Sequence, residues 1–248
     1  MRKTPILGVL VLFLLPAFGS AQSTDVWIAA SAHTAGSFNS NWRTDVWVYN
    51  TGTAQAGVSI YFLQSGLDQS AGNLARPAAT VTVPVGNQVE LGDILKTVFN
   101  LDAASGALYF SSDQPLKVVS RTYDKLDTGT FGQFIGSQAA SASLTQSRLV
   151  GATGDAAFRT NMGFVNPSRT ASSSITLSFL TGSGSQVQTA TVQMPPFTQI
   201  QYSDIFSTYG LSAQENMTVV DNATAPVFGY LSVVDNLTND PIFVPGLP

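Results

Sequence analysis

The sequence predicts an all-β protein of two tandem antiparallel β-sandwiches, each with one short helix. Three observations predict this fold: the chain repeats itself about every 110 residues, its apolar residues alternate with period two, and aspartate outnumbers glutamate 13 to 2. A repeat of that length matches one sandwich of roughly 100 residues. Alternation indicates strands with one buried face, and aspartate favours turns over long helices.

The repeat is read from matched blocks that keep one order. Segment 42–50 returns as 158–166, and segment 92–95 returns as 203–206. Pro115 later returns as Pro226. We therefore predict three parts after the N-terminal segment: a first sandwich at 23–138, a linker at 139–145 and a second sandwich at 146–248. The surroundings of the linker are small, polar and uncharged, as in a flexible connection.

The strands of each unit are predicted from alternation. Val46 and Val48 alternate with Trp47 and Tyr49, and Ile60 and Phe62 flank Tyr61 on the next strand. Met162, Phe164, Leu177 and Phe179 hold the matching apolar positions of the second unit. Since successive side chains of a strand point to opposite faces, these eight apolar residues are predicted to be core.

One short helix is predicted in each unit. Asp93 precedes an apolar stretch at 94–99, and Asp204 precedes 205–209. Aspartate is a preferred helix N-cap, because its carboxylate accepts hydrogen bonds from the free N–H groups of the first turn. We expect each helix to plug one end of its sandwich.

Two strand motifs carry a resemblance. W-R-T-D-x-W-V-Y-N at 42–50 and P-L-x-V-x-S-R-T-Y at 115–123 resemble the immunoglobulin-like repeats of exported bacterial proteins. The resemblance covers nearly the whole chain after its N-terminal segment. It implies immunoglobulin-like sandwiches and supplies no catalytic residues.

The N-terminal segment 1–21 reads as a signal peptide. Arg2 and Lys3 precede an apolar run at 6–15, and small residues follow at 19–21. No later segment is apolar enough to span a bilayer. We therefore expect a secreted or cell-surface protein, and the absence of cysteine favours a bacterial source.

The amino-acid composition excludes several kinds of functional site and partner. The chain lacks cysteine, which excludes disulfides, thiolate zinc sites and thiol nucleophiles, and its net charge of −4 argues against nucleic acid as a partner. The single histidine, His33, is predicted to be an exposed loop residue. No cofactor is expected; the alternative left open is Ca²⁺ bound near Asp124 and Asp127, or near their counterparts Asp235, Asn239 and Asp240.

The aromatic residues differ between the units. Trp47, Tyr49 and Tyr61 are predicted to point away from the core, where the second unit has Gly163, Val165 and Ser178. Such a strip contacts either the second unit or an external partner. The sequence therefore predicts a non-enzymatic exported protein for surface attachment, assembly or protein binding. The alternative is a pair of carbohydrate-binding modules that use the strip, so the partner is a protein or polysaccharide at the cell surface.

Overall fold

A computed structural model describes residues 23–69 and 79–248, so the predicted signal peptide lies outside the described residues. The described chain is all-β, with an eight-stranded antiparallel sheet that is nearly closed and a seven-stranded antiparallel sheet that is curled. Within these residues, no helix has the length and apolar character needed to cross a membrane.

The first half consists of seven strands, with one helix before the sixth. These elements are β1 (Ser23–Ala35), β2 (Asn41–Asn50), β3 (Ala56–Gln64), β4 (Ala79–Val83), β5 (Gln88–Leu91), α1 (Ile94–Thr97), β6 (Ala104–Leu126) and β7 (Gly129–Gly136). The sheet order is β4-β3-β6-β1-β2-β5. The long strand β6 also pairs with β2, which nearly closes the sheet, and β7 pairs with β6.

A short strand, β8 (Gln138–Ala139), pairs with β1 and leads to the second half. The elements that follow are β9 (Leu144–Gly154), β10 (Phe158–Asn166), β11 (Ser173–Leu180), β12 (Gln186–Met194), β13 (Thr198–Tyr202), α2 (Ile205–Tyr209), β14 (Gln214–Asp235) and β15 (Pro241–Pro245). The sheet order is β12-β11-β14-β10-β13, and β9 and β15 pair with β14. The predicted linker 139–145 thus holds regular structure: the end of β8, a 3₁₀ turn at Ala140–Ala142 and the start of β9.

The two halves repeat one pattern of strand pairing. The third strand of each half pairs with the fourth, the second with the fifth, and the long sixth strand with the first, second, third and seventh. Each half also places its helix between the fifth strand and the long strand. The repetition seen in the sequence is therefore a repetition of topology.

The predicted core positions are confirmed. Val46, Val48 and Ile60 are at most 1% exposed and Phe62 is 9% exposed. All four belong to the first apolar cluster. The matching residues of the second half are fully buried in a second cluster: Met162, Phe164, Leu177 and Phe179.

Polar residues of the repeated motif hold equivalent backbone groups in both halves. The hydroxyl of Thr44 accepts a hydrogen bond from the backbone N–H of Ala32 and donates one to the backbone C=O of the same residue. The hydroxyl of Thr160 makes the same two hydrogen bonds with the backbone of Thr153. The buried amide of Asn50 bonds the loop that follows β2, as does the amide of its counterpart Asn166 after β10. Buried backbone groups need such partners, because an unpaired one costs about 1–3 kcal/mol.

Both predicted short helices are present, but their caps differ. Asp93 and Asp204 stand at the N-cap positions, both with a left-handed backbone, which aspartate tolerates better than most residues. The Asp204 carboxylate accepts a long 3.5 Å bond from Ser207 N. The Asp93 side chain makes no capping bond, because its carboxylate binds His33 and Arg43 instead.

Asp221 provides a test of how burial affects stability. It is 1% exposed on β14 and accepts bonds from the N–H and hydroxyl of Ser147, yet burial raises its pKa. A carboxyl with a raised pKa stabilises the fold fully at low pH and loses that contribution as the pH rises through the raised value. We expect Asp221→Asn to be more stable than the wild type at pH 7, with the difference shrinking as the pH falls.

Urea unfolding at pH 7 and pH 4 measures this effect. The matched control is Asp127→Asn, since Asp127 is exposed in the turn after β6. The control should match the wild type at both pH values. An Asp221→Asn protein that is less stable at pH 7 would mean that the hydrogen bonds to the carboxylate outweigh its desolvation.

Candidate functional site

The two halves meet through an aromatic cluster. Trp27, Tyr61 and Tyr109 lie on the outward faces of β1, β3 and β6, and Phe197 and Phe228 of the second half pack against them. Ring centroids lie 5.2 Å apart for Trp27–Phe197, 5.6 Å for Tyr109–Phe197 and 6.3 Å for Tyr61–Phe197. Tyr61 is therefore covered by the second half.

A polar link borders this cluster. Arg169 of the second half donates from Nη2 to the Tyr109 hydroxyl at 3.2 Å, and its guanidinium lies over the rings of Tyr109 and Phe197. The Tyr109 hydroxyl also donates to Asp25. Burial and the Asp25 carboxylate raise the pKa of the Tyr109 hydroxyl above its ordinary value.

The second half contributes a different face to the contact. Val165 points out of its own core and is fully buried in the cluster that contains the first-half core. Its neighbour Gly163 lies under Tyr230, whose hydroxyl donates to Gln201 and accepts from Gln199. The residues that replace Trp47 and Tyr49 in the repeat are thus interface residues.

Of the three predicted aromatic site residues, Trp47 and Tyr49 lie side by side on β2, and Tyr61 lies apart from them on β3. Trp47 and Tyr49 lie two positions apart on β2, with Trp47 half-buried and Tyr49 39% exposed. Tyr61 lies on β3, which pairs with 106–112 of β6, whereas β2 pairs with 116–124. Tyr61 therefore belongs to the contact between the halves, and Trp47 and Tyr49 lie outside it.

His33 is not in an exposed loop, contrary to the prediction. It lies on β1, is 8% exposed, and contacts the Asp93 carboxylate through Nδ1 at 2.7 Å. Arg43 Nε lies 3.4 Å from the same carboxylate. The Asp45 carboxylate accepts hydrogen bonds from the backbone N–H of Asp93 and from the hydroxyl of Tyr123. The burial of Tyr123 and the nearby Asp45 carboxylate together raise the pKa of Tyr123 to about 12. The cluster joins β1, β2 and α1.

The second half lacks this ion pairing. Gly154 stands at the position of His33, and a Cβ there would overlap the Phe206 ring. Arg159, the counterpart of Arg43, donates from Nη1 and Nη2 to the amide oxygens of Asn236 and Asn239. Among the described residues, neither Arg159 nor Asp204 has an ion-pair partner within 4 Å. Two opposite charges that the first half neutralises are left unpaired here.

These two charges line a cavity of about 210 Å³ between the halves. The first half contributes Trp42 of β2 and Gln133 of β7, and the second half contributes Asn161 and Gln201 besides the two charged residues. The loop at 36–37 also borders the cavity, while Phe38 lies over the Arg159 guanidinium at 5.1 Å. Neither half contains the site alone.

Several cavity groups have no protein partner. Gln133 is 7% exposed and uses one end of its amide to accept from Ser232. Asn161 and Gln201 likewise use only their amide oxygens, towards Asp204 N and Tyr230. Within 23–69 and 79–248, the amide nitrogens of these three side chains and the Trp42 indole N–H make no hydrogen bond. These donors belong to residues that line the cavity, so the cavity offers hydrogen bonds to a ligand.

Burial lowers the pKa of Arg159, and the carboxylates of Asp204, Asp124 and Asp235 act in the opposite direction and raise it. Asp124 is fully buried, and its Oδ2 has no hydrogen-bond partner among the described residues. The guanidinium is therefore held among carboxylates that it does not contact directly.

Three of the five residues considered for calcium bind other groups of the protein. Asp124 accepts the Asn41 N–H inside the sheet, whereas Asp127 is exposed in a turn. Asp235 accepts two backbone N–H groups of its own turn, which lowers its pKa, and Asn239 binds Arg159. In the described part of the chain, no group of three or more histidine or acidic side chains is placed to hold a metal ion.

Sequence reasoning missed the cavity residues. In the repeated Arg-Thr pair, both threonines and Arg43 have partners within their own half. The available signal was the missing histidine in the second unit, which leaves Arg159 and Asp204 without the arrangement seen around Arg43 and Asp93. Their approach to Trp42 and Gln133 depends on how the halves dock, which the repeat alone does not specify.

No protein-family model and no curated protein matches the chain. Among solved structures, it is similar to Thermotoga maritima 1070, with 13% identity over 47% of this chain and 94% of that chain and a TM-score of 0.36. It is also similar to Bacteroides uniformis β-glucuronidase 2, with 10% identity over 88% of this chain and 26% of that chain and a TM-score of 0.18. A third similar structure is the C-terminal domain of the Streptococcus pyogenes antigen I/II-family protein AspA. The identity is 9% over 87% of this chain and 97% of that chain, with a TM-score of 0.15.

Proposed function

We propose that the protein is a non-enzymatic exported binding protein that acts in surface attachment, assembly or protein binding. Its halves are two variants of the immunoglobulin-like sandwich, fused into one binding unit. Export rests on the signal-peptide pattern at 1–21. The observation that carries the binding role is the cavity between the halves, with its unpaired polar groups.

The construction of this cavity supports a binding role. It is lined from both halves, and the aromatic cluster beside it fixes their relative position. A site held by packed elements loses little freedom when a ligand binds, which favours affinity. The buried amide of Gln133 and the buried guanidinium of Arg159 supply directed hydrogen bonds.

Retention by the cell envelope tests this proposal. The full chain after export is labelled and incubated with envelope from the source cells, and the bound fraction is measured by sedimentation. We expect Trp42→Ala to lower retention at least tenfold, because Trp42 lines the cavity. The matched control is Trp47→Ala, which removes a half-buried tryptophan of the same strand outside the cavity. Equal retention of both variants and the wild type would contradict the proposal, as would a hydrolase activity abolished by one substitution.

A second candidate function uses the surface of β2. Tyr49 is exposed and Trp47 half-buried at neighbouring outward positions, and flat aromatic side chains of this kind stack on sugar rings. This function is a carbohydrate-binding module pair with polysaccharide as the partner. It predicts the opposite result in the same experiment: Trp47→Ala loses retention and Trp42→Ala keeps it.

A further inference from the structure

We propose that the cavity between the halves binds a neutral, polyhydroxylated ring ligand: a single sugar residue, free or at the end of a glycan. This inference rests on the proposed binding function and names the ligand class of that site. Three properties of the cavity carry it: its size, its balance of charge and its arrangement of hydrogen-bonding groups.

The size of the cavity limits the ligand. Its volume of about 210 Å³ is smaller than the roughly 300–1,000 Å³ of pockets that enclose drug-sized molecules. It therefore suits one ring with its substituents. The indole of Trp42 forms part of the wall and offers an apolar surface with an N–H donor at its edge.

The charges favour a neutral ligand. The cavity wall contains one cation, Arg159, and one anion, Asp204, which do not pair with each other. A hydroxyl group both donates and accepts. Neighbouring hydroxyls of one ligand can therefore accept from Arg159 and donate to Asp204. An anion would bind Arg159 against the carboxylates of Asp124, Asp204 and Asp235, all of which act on that guanidinium.

The unpaired side-chain amide groups of the cavity are donors. The unpaired groups of Gln133, Asn161 and Gln201 are amide nitrogens, since each amide oxygen already accepts a bond. Ring and hydroxyl oxygens of a sugar accept from such donors. The Gln133 residue is more than nine-tenths buried and lines the cavity, so its unpaired amide nitrogen is available to a ligand there.

Saturation-transfer NMR on the full exported chain tests this inference. The sugar probes are glucose, galactose, mannose and N-acetylglucosamine, and the comparison probes are alanine and glutamate. We expect at least one sugar to bind, at least tenfold more weakly to Trp42→Ala and to Asp204→Asn. Asp204→Asn keeps a side-chain oxygen for the Ser207 N–H, so the helix cap is preserved. Val187→Ala, at an exposed position of β12 outside the cavity, is the control and should bind like the wild type.

The outcomes separate the ligand class from the binding function. No binding of any sugar probe, or sugar binding that survives both cavity variants, overturns the sugar inference. Binding of alanine or glutamate alone, lost in Asp204→Asn, also overturns it and identifies an amino-acid ligand, while the binding function stands. Envelope retention that depends on Trp42 without sugar binding again leaves the binding function in place. Circular dichroism of each variant establishes that loss of binding is not loss of folding.

Discussion

Phe197→Ala is expected to destabilise the protein by about 3–5 kcal/mol, the usual cost of truncating a buried phenylalanine. Phe197 is fully buried, and its ring contacts those of Trp27, Tyr61 and Tyr109 in the other half. The Arg169 guanidinium also lies over it. The lost stability therefore comes from the contact between the halves rather than from the core of either half.

Two probes of denaturant unfolding measure this effect. All three tryptophans lie in the first half, so their fluorescence follows that half, whereas far-ultraviolet circular dichroism follows both. We expect the two transitions to coincide in the wild type and to separate in Phe197→Ala. Phe134→Ala is the control, because Phe134 is 67% exposed on β7 and should cost little. A loss below about 1 kcal/mol for Phe197→Ala would show that the aromatic cluster contributes little to docking.

Gly163→Ala is expected to cost about 1–3 kcal/mol through overpacking. A Cβ at Gly163 would lie 2.2 Å from the Tyr230 ring. Tyr230 cannot move aside readily, because it is fully buried, bonded to Gln199 and Gln201, and stacked on Phe243. The first half has the reverse arrangement, with the large Trp47 opposite the smaller Val119.

Thermal unfolding of Gly163→Ala measures this cost. The matched control is Gly57→Ala, a glycine on β3 whose added Cβ would meet only the Asp113 carboxylate at 3.7 Å. The control should be neutral or slightly stabilising, since alanine restricts the unfolded chain more than glycine does. If Gly163→Ala matched the control, the Tyr230 ring would have to be free to shift within the interface.

The core and the order of elements were predictable because they follow from local pattern. Alternation identified Val46, Val48, Met162 and Phe164 as buried, and the repeat predicted two similar halves. These features depend on residues close together in the chain, where strand periodicity applies directly.

The contact between the halves was less predictable, because it depends on which outward faces meet. Trp47 and Tyr61 are outward by the same rule, yet only Tyr61 is covered by the second half. The prediction that His33 is an exposed loop residue is wrong for a related reason. Its partner Asp93 is 60 residues away, and a small polar segment such as 31–36 gives no sign of that contact.

The docking of the halves has a direction, because each half uses a different face. The first half presents the aromatic trio of β1, β3 and β6, and the second half receives it on β10, on β14 and on the turn before β13. In the strand register, the trio Trp27, Tyr61 and Tyr109 corresponds to Arg148, Ser178 and Val220. A head-to-tail contact is not self-complementary, and it would propagate into a ring or a filament if every unit carried both faces.

The second half carries only the receiving face. Arg148 is exposed where the first half has Trp27, so there is no aromatic group to insert into a further unit. The second half therefore lacks, at these register positions, the aromatic face that the first half presents to it. Aromatic residues substituted at these three positions would still meet no receiving face, because the receiving face of the second half is already covered by the first half.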